Sequence, residues 1–332
     1  MRITGMVAAA AMLAGCGAAE QPAQAQAAEP ATGTLLVANK RGASLSRLDL
    51  ATGAETHRVA SCANPHELAV SPDRRHVALA CYSGQELEIF RTADLGLVKR
   101  VALGEGARPH GVVWHANGTL VASAEGRGSI FVVEAPLTDE PRVREIGAGA
   151  PGPHMVVVDA AGAFAWGTII PAGIVVRYDL AAGRETARRV LGGQTEAIAL
   201  SPDGGALWVG ANQANKVYRL DPETLEVEAE VAAGPVPIRV AAHPGGRWAV
   251  SSNFGGGGLS VIDAASGEVV REVPVSGEQA AAQVTLVFSP DGARLYAAET
   301  AADTIAEIDF AAGEVLRRLP TGEGGDGLAV FD

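Results

Sequence analysis

Positive charge is scarce in this chain. Lys and Arg total 26 against 38 Asp and Glu, a formal net charge of −12. The summed field repels phosphates, which excludes bulk electrostatic binding of polyanions, and no nucleic-acid partner is expected. Two short basic pairs, Lys99 with Arg100 and Arg317 with Arg318, read as solvated strand ends. The familiar local signatures of catalysis are missing too. His66-Glu67 is followed by Leu-Ala-Val, so there is no HExxH zinc helix. There is no CxxCH, no GxSxG and no Walker-type phosphate loop. The glycine run at 255–258 lacks the Lys-Ser/Thr that phosphate binding needs and reads as a long turn. The apolar stretch at 6–14 is too short to span a membrane.

What is present begins with a targeting signature. Arg2 supplies a positive start, residues 6–14 an apolar segment, and Leu13-Ala14-Gly15-Cys16 follows. That tetrapeptide resembles the lipobox of bacterial lipoproteins. The resemblance implies a signal peptide over 1–15, lipid on Cys16, and membrane contact through the lipid anchor only. The alternative is an ordinary secretory signal cut within 23–27. Residues 16–32 are rich in Ala, Gln and Pro without apolar periodicity, and read as a flexible tether.

The remaining chain, 33–332, repeats itself. PHELAVSPDRRHVALA at 65–80 returns as PHGVVWHANGTLVASA at 109–124 and PHMVVVDAAGAFAWGT at 153–168. Weaker copies start at Thr195, Pro237 and Gln283, and a truncated copy, GDGLAVFD, ends the chain. Each is an apolar run, a tight turn and a second apolar run, the pattern of a β-hairpin. The residues opening the turns are Ser71, His115, Asp159, Ser201, His243, Ser289 and Phe331, spaced 44, 44, 42, 42, 46 and 42 apart. Such a period, built of short strands, predicts an all-β, seven-bladed propeller of four-stranded antiparallel blades. Blade one starts with its second strand, Thr34–Asn39, and lacks an inner strand. Gly325–Phe331 is a spare inner strand, so the C-terminus should close the ring in blade one.

A second repeat follows each hairpin: SRLDLATG, VVRYDLAAG, YRLDPETL, SVIDAASGE and AEIDFAAGE. Together with the hairpins these resemble the YVTN-type repeats of bacterial propellers, the group that includes YncE-like proteins. The resemblance covers about 33–332. It implies the fold but not a function, because that superfamily includes binding proteins, lyases, lactonases and redox-enzyme subunits.

Aligning the inner strands five residues before each turn residue gives Asp326, His66, His110, His154, Glu196, Ile238 and Val284 in blade order. Five consecutive blades thus offer a titratable side chain at one end of the central channel. His66, His110, His154 and Glu196 are candidate ligands for a divalent metal, with Glu196 also a candidate base. The competing reading is a wet channel mouth in which Pro-His merely opens a strand and the ring bonds a loop carbonyl. The second-strand ends add Asn39, Cys81, Glu125, Thr168, Asn212, Asn253 and Glu299. Of these Asn39, Glu125, Asn212, Asn253 and Glu299, with Asp326, are ligand-binding candidates; loop capping is the alternative. Cysteine is limited to three. With Cys16 assigned to lipid, Cys62 and Cys81 remain, both placed at one face in an oxidising compartment, and are expected to form a disulfide rather than two buried thiols.

The expectation is an exported, monomeric lipoprotein of the periplasm or cell envelope. It would act as a binding or scaffold module for a small ligand or an envelope protein. The alternative is a metal-dependent lyase or lactonase with a three-His site. A redox-subunit reading has no cofactor motif behind it.

Overall fold

The computed structural model describes Met1 and residues 31–332; the rest of the signal peptide expected at 1–15, Cys16 and most of the tether expected at 16–32 lie outside the described residues. The described chain forms seven four-stranded antiparallel sheets arranged as the blades of a propeller. Blade one is assembled from both chain ends: Gly325–Phe331 pairs with Thr34–Asn39, followed by Ser44–Asp49 and Glu55–Ala60. Blades two to seven each run in sequence from inner to outer strand, beginning at Pro65, Pro109, Pro153, Thr195, Pro237 and Gln283. Among the described residues no helix is long and apolar enough to cross a membrane.

The repeated motifs have local causes. In the Ser-Pro-Asp turns, Ser71 Oγ donates to Asp73 Oδ1 at 2.5 Å and accepts the His76 amide at 2.9 Å. Ser201 and Ser289 repeat the arrangement with Asp203 and Asp291. The Asp-x-x-Thr-Gly turn works similarly: Asp49 Oδ1 accepts the Thr52 amide at 2.8 Å, and Gly53 takes φ 74°, which costs a glycine nothing.

Packing follows the pleat. The middle strands are buried on both faces, whereas outer strands such as Arg184–Val190 alternate. Seven apolar clusters fill the seven inter-blade gaps. The one between blades seven and one joins Tyr296 and Ile305 to Leu35, Val37 and the C-terminal Leu328, so closure is a core contact as well as a hydrogen-bonded edge.

The two basic pairs lie on exposed outer strands, as the sequence suggested, with 55% of the Arg100 and 45% of the Arg318 side chain exposed, and each member also has a partner. Arg317 Nε lies 2.6 Å from Glu307 Oε2, Arg318 Nε 2.7 Å from Glu299 Oε2, and Arg100 Nε 2.9 Å from Glu88 Oε1. Lys99 donates to the Thr138 carbonyl.

Candidate functional site

Every inner strand carries a register shift near its start, for example between Pro65 and Leu68 or between Pro237 and Arg239. A bulge places two residues opposite one and re-aims side chains. Two successive positions of the inner strand therefore supply the channel mouth. The first gives Asp326, His66, His110, His154 and Glu196. The second gives Glu67, Arg239 and Thr285, which the sequence alignment passed over. It also gives Gly111 and Gly327, where a Cβ would press on the neighbouring inner strand, at His154 and His66 respectively.

The three histidines stand side by side. Ring centroids are 4.7 Å apart for His66 and His110 and 3.7 Å for His110 and His154. His110 and His154 are 2% and 7% exposed. His154 Nδ1 donates to Glu125 Oε1 at 2.5 Å, and its Nε2 lies 3.2 Å from Glu196 Oε1 without a hydrogen bond. The Nδ1 of His110 is buried without a partner. His66 realises the blander expectation: its Nδ1 donates to the Asn64 carbonyl at 3.1 Å.

Carboxylates and cations enclose this row. Tyr82 lies against His66, with ring centroids 4.4 Å apart, and donates to Glu125 Oε2 at 2.7 Å; Arg108 in turn bonds the Tyr82 hydroxyl. Glu196 accepts Asn212 Nδ2 at 2.5 Å and Arg239 Nη1 at 2.7 Å. Arg239 then crosses the channel to Glu67. On the far side Lys40 Nζ lies 3.0 Å from Asp326 Oδ2, whose other oxygen accepts Thr285 Oγ1 at 3.3 Å.

Burial and charge set the protonation states together. Burial pushes His110 well below the ordinary imidazole value, and His154 adds to that shift; burial also lowers His66. Burial acts against charge on His154 as well, but the Glu125 and Glu196 carboxylates outweigh it and its pKa is raised. Glu196 is held at about 2 because His154 and Arg239 overcome the cost of burial. Burial raises the Glu67 carboxyl despite Arg239.

The structure thus brings His66, His110, His154, Glu196, Glu125, Asn212 and Asp326 to one channel mouth. It leaves Asn39, Asn253 and Glu299 within their blades. Asn39 bonds Ser44 and Ser46, Asn253 bonds Ser251 and Ser260, and Glu299 pairs with Arg318 and Thr304. Thr168 donates to the Glu196 carbonyl. Cys62 and Cys81 form a disulfide with Cα atoms 5.6 Å apart, fixing the end of blade one to the strand paired with Pro65. Glu67, Arg239, Tyr82 and Lys40 are additional members. A charged residue inside an otherwise apolar strand, as at Glu67 and Arg239, is the signal that would have found the first two.

The architecture has known counterparts. The crystal structure of a functionally unknown protein from Desulfotomaculum acetoxidans is similar, with a TM-score of 0.74 at 15% identity over 90% of this chain and 99% of that one. Dihydro-heme d1 dehydrogenase NirN in complex with DHE is similar with a TM-score of 0.65, also at 15% identity, over 93% of this chain and 77% of that one. At such identity the likeness is one of fold alone. A search of curated proteins finds no match to this sequence. Residues 30–290 match the family described as YNCE-like beta-propeller, and with that span, seven blades and its repeated hairpins the chain belongs to the YncE-like propeller family.

Proposed function

We propose that this protein is a non-catalytic binding module of the cell envelope, held at the membrane by lipid on Cys16, whose His-bearing channel mouth takes a small polar ligand. The observation that carries the reading is the bridge of Arg239 to both Glu196 and Glu67 beside three histidines, six side chains drawn from five successive blades, with His66 and Glu67 both from blade two. Buried ion pairs contribute little net stability compared with apolar packing, and the seven inter-blade cores already hold the ring. A polar cluster in this place therefore serves recognition better than folding.

The enzyme reading, a metal-dependent lyase or lactonase, is less well supported. It needs Glu196 as a base or as a fourth metal ligand, and the first role does not suit its surroundings. That carboxylate is tied by Asn212 and Arg239 and held at about 2, far below the range in which a general base accepts protons at neutral pH.

Native mass spectrometry of protein purified from its own envelope tests the proposal. Wild type should carry a stoichiometric adduct that Arg239→Met loses. Adduct-free wild type removes the reading. Fractionation tests the location: Cys16→Ser should leave the membrane fraction, and a variant that stays there after normal processing removes the anchor.

A further inference from the structure

We propose that His110, Glu125 and His154 hold one divalent first-row transition-metal ion at the channel mouth. The inference deepens the binding reading above and rests on it: the ion is what the polar ligand would meet.

The donor set comes first. One ligand atom from each of the three side chains lies within 4.8 Å of the others. Two imidazoles with one carboxylate suit zinc and its first-row neighbours, whereas magnesium and calcium prefer all-oxygen sites. Three protein ligands leave a coordination position open, which is the arrangement of sites that accept an outside ligand.

A second observation is independent of the donor count. His110 Nδ1 is a buried polar atom without a hydrogen-bond partner, on a ring whose centroid lies 3.7 Å from that of His154. Buried polar atoms are rarely left unpartnered, and each such atom calls for an explanation such as an ion.

The surrounding shell is the third. Metal-bound histidines commonly present their other ring nitrogen to a carboxylate, and ligating carboxylates are themselves hydrogen-bonded. Here His154 turns Nδ1 to Glu125 and faces Glu196 with Nε2. Glu196 is in turn oriented by Asn212 and Arg239, and Glu125 by Tyr82. Two of the three proposed ligands, His154 and Glu125, therefore have the backing that a metal site uses.

The direct contact between His154 Nδ1 and Glu125 Oε1 is 2.5 Å. Two ligands at about 2.0–2.2 Å from a tetrahedral ion stand roughly 3.3 Å apart. Insertion must open the contact by a little under an ångström. Glu125 can supply this because it lies in a short 3-10 turn, Glu125–Arg127, outside the strand ladder. Among the described residues the other grouping of this kind, Cys62, Cys81 and Glu88, is not competing, since its sulfurs are joined in a disulfide.

Chelator-stripped full-length protein should be titrated with zinc and with cobalt, following heat and the visible d–d bands of bound cobalt. One equivalent per chain is expected. His110→Ala and Glu125→Gln should each weaken binding at least 100-fold and abolish the cobalt bands. Tyr82→Phe and Glu196→Gln, which change only the backing, should weaken it about 10–100-fold. His57→Ala, on an exposed outer strand, should change nothing. Glu125→Gln is nearly isosteric, so with a wild-type melting curve it decides the matter if His110→Ala fails to fold. No stoichiometric binding of either ion, or binding that survives Glu125→Gln, overturns the assignment. An organic adduct that persists in chelator-treated wild type while the titration fails would sink the metal site and leave the binding reading intact.

Discussion

Arg239 Nη2 lies 3.1 Å from Glu67 Oε1, joining blades six and two across the channel although 172 residues separate them in sequence. Both side chains are at least nine-tenths buried. Arg239→Met would strand Glu67 as an uncompensated buried carboxylate and would leave Glu196 with only Asn212 and His154. The expected loss is about 3–5 kcal/mol of unfolding free energy. Adding Glu67→Gln should return part of it, with a coupling of about 0.5–3 kcal/mol in the double-mutant cycle. Strictly additive effects in urea unfolding would show that the two residues do not act as a pair.

Ring closure makes a second prediction. Deleting residues 325–332 removes the strand paired with Thr34–Asn39, bares a sheet edge and takes Leu328 out of the core between blades seven and one. Aggregation or a severe loss of stability is expected. Reversible unfolding with the wild-type midpoint would contradict the closure.

The disulfide encloses a loop with a sequence separation of 19. Loop closure of that length in the unfolded chain stabilises by about 3 kcal/mol on the chain-entropy estimate. Thiol labelling under denaturing, non-reducing conditions should leave Cys62 and Cys81 unmodified, and Cys62→Ala with Cys81→Ala should lower the unfolding free energy by about that amount. Labelling of both residues in unreduced protein would refute the bridge.

The blades were legible because hairpin turns write themselves in short, local residue patterns. Ser71 with Asp73 and Asp49 with Gly53 need no distant partner, so their spacing carries the blade count. The row of histidines was legible for the same reason, through the Pro-His openings. Glu67 and Arg239 were not. Counting back from the turn assumes an unbroken two-residue alternation, and the bulge in each inner strand breaks it just where the channel begins. Asn39 and Asn253 show the opposite limit. Their place at the second-strand ends was correct, but serines on the adjacent strand, Ser46 and Ser260, hold them inside the blade. Sequence position does not reveal which of two neighbours a side-chain amide will choose.

The histidine row makes the last prediction, because its members titrate in opposite directions. Burial lowers His110 and His66, with the neighbouring His154 opposing charge on His110 and with Lys40 and Arg239 opposing it on both. Relative to the unfolded value of 6.5, each contributes stability that is complete above 6.5 and declines as pH falls below it, because the unfolded chain takes up the proton first. His154 has the reverse sign. Its raised pKa, set by Glu125 and Glu196 against burial and Arg239, gives stability present below 6.5 and lost as pH rises through the folded value. The contribution of the row should therefore peak near pH 6.5. Glu196, depressed to about 2, adds a further loss as pH falls below its unfolded value of 4.5. Heteronuclear NMR of the imidazoles in chelator should show His154 titrating above 6.5 and His110 and His66 below it. His154→Gln should flatten the alkaline limb of the stability profile and leave an acid limb in place. If His110 and His154 instead titrate together near 6.5, their opposite surroundings do not separate two rings whose centroids are 3.7 Å apart, and the electrostatic account of the channel mouth fails.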